Sequence, residues 1–178
     1  MDSLEKWAGQ ERREMLQLLQ EGTEALYALV AGIDDAEAAR KPSGGGWSVL
    51  DCLEHVAVTE GALFAGIRNA TRAEAPRVNP EREAKIRDRA LNRERLIAAP
   101  EIVVPRSRFA NPNQALLNFA AARAETVRWV ETFADDPRCW VTTHPMVRTP
   151  VNCWEMLLMI ALHPKRHAEQ IRTVISGQ

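Results

Sequence analysis

Apolar residues recur at helical spacing in four separate stretches of this chain, and the two-residue alternation of a half-buried strand is almost absent. That pattern predicts an all-α protein built as a four-helix bundle, since each amphipathic helix must bury its apolar stripe against others. The first helix is expected from about Leu4 to Val30, with Met15, Leu18, Leu19, Leu26, Leu29 and Val30 on one face. Gly32 and the run Lys41-Pro42-Ser43-Gly44-Gly45-Gly46 end it in a loop. The second starts sharply. Ser48 and Asp51 have the spacing of a capping box, and Trp47 just outside can pack on Cys52 as a staple. This helix runs to about Asn69, with Cys52, His55, Val56, Thr59 and Leu63 along its inner face.

A third long helix opens with Asn111 as cap, Pro112 in the first turn and Gln114 facing back, and Asp136-Pro137 stops it. A fourth begins at Thr149-Pro150 and extends to about Ser176, its inner stripe being Met156, Ile160, His163, His167, Gln170 and Val174. Between the second and third lies a long connection, Arg72 to Pro105, where charges of both signs alternate. It reads as a solvated connector carrying one short exposed helix, with Glu101-Ile102-Val103-Val104 as an extended piece between Pro100 and Pro105. Such a connection can cross an end of the bundle, so simple up-down-up-down topology is not required. The 178 residues suit one domain, 1–178, with a sizeable core.

Charge argues against two classes of partner. The formal net charge is −1, so no global field draws the chain to nucleic acid or to an anionic membrane. No apolar run is long enough to span a bilayer. Cys52, Cys139 and Cys153 are odd in number without paired short spacing, and read as reduced thiols rather than a disulfide framework. Met1 to Trp7 lacks the basic start and apolar core of a signal peptide, so a cytoplasmic location is expected.

The chemistry rests on four histidines, His55, His144, His163 and His167. His163 and His167 stand four apart, one turn apart on one helix face, and continue the stripe that faces the core. His55 is on the inner face of the second helix. Imidazoles in a dry core need partners. A metal ion at roughly 2.0–2.1 Å from each ring would supply one, and three protein ligands leave a fourth position for water or substrate. A hydrogen-bonded core network fits the same spacing, and spacing alone leaves the two open.

Several ordered motifs narrow the choice: Trp47-Ser48, Glu54-His55, His144-Pro145 and the long run from Trp154-Glu155 through His163-Pro164-Lys165-Arg166-His167-Ala168-Glu169-Gln170-Ile171. In that order they resemble the DinB/YfiT-like superfamily across essentially the whole chain. The resemblance implies a four-helix bundle with a divalent metal on His55, His163 and His167, zinc or nickel foremost and iron as an alternative. It implies further a metal-dependent enzyme acting by thiol S-transfer or hydrolysis, with a small-molecule substrate, a low-molecular-weight thiol as one candidate partner, and a homodimer. The competing expectation is a non-catalytic helical scaffold or interaction module with a vestigial or structural histidine site.

Two departures from the family pattern favour that alternative. Pro164 removes a backbone N–H inside the fourth helix and crowds the carbonyl of Ile160, at a cost of about 3 kcal/mol unless the helix adapts. Arg148 stands where relatives often have Gly. Smaller expectations complete the reading. His144 is a turn-stabilising or rim residue outside the ligand set, and Glu54 and Glu169 are solvated or ion-paired at the surface. Gln170 orients a ligand histidine. Arg166 forms an ion pair between helices, and Arg123 snorkels to the bundle end or, as the alternative, faces the cavity to bind an anionic group.

Overall fold

The computed structural model describes residues 7–92, 98–146 and 148–177. Four long helices carry it: α1 (Arg12–Val30), α3 (Val49–Arg68), α5 (Pro112–Thr132) and α6 (Cys153–Ser176). Two shorter ones are α2 (Asp35–Ala39) and α4 (Pro80–Leu91). A small antiparallel sheet joins β1 (Thr71–Arg72), β2 (Trp140–Thr143) and β3 (Pro150–Asn152) in that order, with Val141 opposite both Thr71 and Asn152.

The capping chemistry appears as the local sequence dictates. Ser48 Oγ accepts from Asp51 N at 3.1 Å while Asp51 accepts back from Ser48 N at 2.7 Å. Asn111 accepts from Gln114 N, and the Gln114 side chain accepts from Ala110 N. Three boundaries differ from expectation. Residues 4–6 of the expected first helix lie outside the described residues, and α1 starts only at Arg12, after a π-helical turn, Trp7–Glu11, that is broken at Gly9 (φ −98°, ψ −117°). The fourth helix starts at Cys153, not Thr149. Asn152 and Glu155 form a second capping box there, and Pro150–Asn152 pairs with β2 instead. Glu101–Val103 is a 3₁₀ turn rather than an extended piece, its Val103 N bonding the Pro100 carbonyl.

Helix directions follow from side-chain contacts. Trp7 meets Trp154 edge-on at 5.8 Å, and further along Gly22 faces Ala161 and Pro164, so α1 and α6 run parallel. Gly66 lies against Met156 while His55 reaches His163, so α3 and α6 are antiparallel. α1 packs on α5 and α6, and α3 packs on the same two, which leaves the consecutive helices α1 and α3 diagonally opposed. Arg123 of α5 reaches both Glu60 of α3 and Leu19 of α1, tying the three together. The long 69–111 connection carries α4, which packs on α6 rather than standing in solvent: Arg82 pairs with Glu155, and Trp154 Nε1 donates to Glu83. No helix among the described residues is long and apolar enough to cross a membrane.

Two apolar clusters fill the bundle. One gathers Met15, Leu19, Leu63, Phe64, Val130, Met156 and Leu157; the other gathers Leu26, Val49, Cys52, Val56, Phe119 and Ile171. Buried polar side chains sit on the same helices: Thr59, Glu60, Arg123 and Thr126, with His55 and His167 nearby on α3 and α6. The site is made there.

Candidate metal centre

α3 contributes His55 and α6 contributes His163 and His167 to one cluster, with His55 and His167 buried and His163 half-buried. One ring nitrogen from each lies within 4.8 Å of the others. His55 Nε2 is 3.1 Å from His163 Nε2. Two nitrogens bonded to one tetrahedral ion at about 2.0–2.1 Å would stand roughly 3.3 Å apart, so this spacing fits a shared ion. The donor set is all nitrogen, suited to zinc, nickel or iron alike.

Neighbours orient two of the three rings. The Val103 carbonyl accepts from His55 Nδ1 at 2.8 Å, which puts the proton on Nδ1 and leaves the Nε2 lone pair facing the cluster. His167 Nδ1 lies 2.9 Å from Gln170 Oε1, which accepts its proton and leaves the other ring nitrogen for the centre. Trp47 stacks on His167 (centroids 6.2 Å apart, interplanar angle 23°) and tilts over His55 at 4.8 Å, so the expected staple residue also forms an aromatic wall of the site. Burial holds the pKa of His55 below the ordinary histidine value, against the opposing pull of the Val103 carbonyl. Burial pushes His163 well below it, helped by repulsion from His167 and His55 and, further off, Arg166 and Arg123. Neutral imidazole is the form that donates a lone pair to a metal.

Glu54 corrects the expectation of a surface acid. It is 1% exposed and accepts from Arg106 N (2.6 Å), Arg108 N (2.8 Å) and the Arg108 guanidinium (2.6 Å). These bonds hold the segment just after Val103, so Glu54 anchors the strand of chain whose carbonyl fixes His55. Adjacent residues on a helix point apart, and here each serves the same loop. Glu169 is exposed and paired with Arg172, as expected.

Arg123 does not snorkel. It is 5% exposed and forms a bidentate pair with Glu60, Nε to Oε1 and Nη2 to Oε2, both 2.6 Å. The stripe of α5 could not reveal this because the partner acid is on α3, sixty-three residues away. The same guanidinium also donates to Leu19 O at 2.6 Å and to Ile160 O at 3.3 Å. Ile160 O is the carbonyl that Pro164 deprives of its helical N–H. α6 therefore continues through Pro164, from Cys153 to Ser176, with the freed carbonyl bonded by Arg123. On the opposite side a Cβ at Gly22 would lie 2.7 Å from Ala161 O, so only glycine lets α1 approach α6 here.

The Arg166 guanidinium donates to the Arg89 and Asn92 carbonyls at the end of α4, each at 2.7 Å, and so ties α6 to the long connection. His144 stands apart from the three-histidine cluster: it is buried in the β2–β3 connection, where its Nδ1 accepts from Met146 N at 3.2 Å. In that connection Arg148 takes φ +52°, the left-handed conformation natural to glycine.

The family model of the DinB superfamily matches residues 7–171. The chain belongs to the DinB superfamily. Among solved structures, YfiT from Bacillus subtilis, described as a probable metal-dependent hydrolase with an unusual four-helix bundle topology, is similar at a TM-score of 0.60. The two share 16% identity over 93% of this chain and 86% of that one, which establishes the common fold. A comparison with curated proteins finds no match.

Proposed function

We propose that this DinB-superfamily chain is a divalent-metal-dependent enzyme in which His55, His163 and His167 hold the ion and a water molecule or a low-molecular-weight thiol is the nucleophile. The observation that carries this reading is the convergence of three ring nitrogens within 4.8 Å, two of them with their far nitrogen tied to a proton acceptor. An ion in such a site acts as a Lewis acid and lowers the pKa of a water or thiol at its open position. The chain's own residues do the rest. Val103 and Gln170 set the tautomers of His55 and His167, Glu54 holds the Val103 segment in place, and Trp47 shields one side of the rings from water.

Hydrolysis is the reading that YfiT's description supports. The scaffold alternative drew on Pro164 and Arg148; Arg123 and Gly22 accommodate the proline. The test is turnover of an activated ester, p-nitrophenyl acetate, by zinc- and nickel-loaded protein, with and without added cysteine or glutathione. Turnover that needs the ion and is lost in His163→Ala supports the enzyme; acceleration by thiol assigns the transferase branch. No rate above that of the metal-free protein, in either ion and with either thiol, would favour the scaffold.

A further inference from the structure

Five threonines lie within the described helices, and four behave alike. Thr23, Thr126, Thr132 and Thr173 each donate their hydroxyl to the carbonyl four residues back, at 2.8–3.3 Å. That is the usual resting place of a helical threonine hydroxyl. Thr59 is the exception. It is 2% exposed, yet its Oγ1 bonds no group among the described residues, not even the His55 carbonyl one turn back. A buried hydroxyl without a partner costs on the order of a fivefold or greater loss in folding equilibrium, so it calls for a reason.

Its place in the bundle supplies one. Thr59 follows His55 by four residues and shares its face of α3. Side chains on a helix lean toward its N-terminus, so Thr59 leans toward the His55 turn. Across the interface α3 and α6 are antiparallel, pinned by Gly66 against Met156 and by His55 against His163. That register sets Thr59 level with the Ile160–His163 turn, where its neighbour Glu60 reaches Ile160 O through Arg123. An orphan hydroxyl thus stands one turn from His55 and beside the α6 turn that leads to His163.

We propose that Thr59 is a substrate-contacting residue of the histidine centre, its hydroxyl donating a hydrogen bond to the carbonyl-type oxygen of a ligand seated against the open side of the three imidazoles. This rests on the metal reading above. It makes the ligand class specific: a small molecule presenting an oxygen acceptor, such as an ester, amide or hydroxamate. The hydroxyl is unpaired without ligand because its partner is the ligand.

Zinc binding and acetohydroxamate binding to the zinc-loaded protein, both by calorimetry, test it in wild type, Thr59→Val and Thr59→Ser. Valine keeps the shape and removes the hydroxyl. Zinc affinity is expected to stay within about twofold in both variants. Acetohydroxamate affinity is expected to fall about five- to tenfold in Thr59→Val and to hold within about twofold in Thr59→Ser. Metal-free Thr59→Val is expected to melt at or above the wild-type temperature, since no bond is lost. Equal acetohydroxamate affinity in wild type and Thr59→Val, or a marked fall in the melting temperature of the metal-free valine variant, overturns the role of Thr59 alone. Zinc binding by none of the three proteins overturns the histidine centre itself, and the role of Thr59 with it.

Discussion

At the scale of single residues, the site turns on which imidazoles can stay neutral. His55, His144 and His163 all have pKa values lowered first by burial. Their native pKa lies below the unfolded value of about 6.5, so below that pH the unfolded chain takes up protons that the native protein does not. Stability is therefore present above about pH 6.5 and is lost as pH falls through it, by up to about 1.4 kcal/mol per pH unit for each histidine that remains neutral. Urea unfolding of metal-free protein at pH 7.5 and 5.5 is expected to show that loss, and His163→Gln is expected to reduce it. Equal stability at the two pH values would mean that the rings protonate freely in the native protein. The histidines were legible from spacing and motif because helical periodicity alone sets which face they share. Val103 was not: a backbone carbonyl has no residue-type signature, and its role comes from a 3₁₀ turn that Pro100 and Pro105 only bracket. Glu54 was misread for a related reason, since its partners are backbone amides of a loop fifty residues on.

At the scale of elements, α6 is the demanding one. It carries two of the three histidines on either side of a proline, and neighbouring helices make that tolerable: Arg123 of α5 bonds the freed Ile160 carbonyl and Gly22 of α1 leaves room for the Ala161 carbonyl. Gly22→Ala tests this directly. Helix propensity alone favours alanine by about 1 kcal/mol in the middle of a helix. Here the new methyl would press on backbone, so a net destabilisation of about 1–3 kcal/mol is expected from denaturant unfolding. A stabilised variant would show that α1 and α6 can separate at no cost. Pro164 was visible in the sequence as a problem, while its solution was not, because both compensating groups are distant in the chain and each looks ordinary in its own helix. The starts of α3 and α5, by contrast, were readable to the residue: capping is a local exchange between neighbours three apart. The start of α6 shifted because Pro150 allows an edge strand as readily as a first helical turn.

At the scale of the whole molecule, the four stripes predicted a bundle, and the long 69–111 connection signalled a crossover, but which helices are diagonal depends on contacts between distant segments. That arrangement matters for the site. With α1 and α3 on opposite corners, α6 is a neighbour of both, and the α3–α6 seam that joins His55 to His163 and His167 is backed by α1 and α5. A site spanning two helices couples folding to the ion, since anything that binds only the native state stabilises it. The most direct test of the central claim is metal content and melting temperature, measured on protein purified without an affinity tag, for wild type and for His163→Ala/His167→Ala. Near one zinc or nickel per wild-type chain is predicted, with a rise in melting temperature of about 5–10 °C at a hundredfold excess of ion over its Kd. The double variant is predicted to lose both. No bound metal in either protein, and no shift with either ion, would contradict the account and leave the three histidines as a hydrogen-bonded cluster in a helical scaffold.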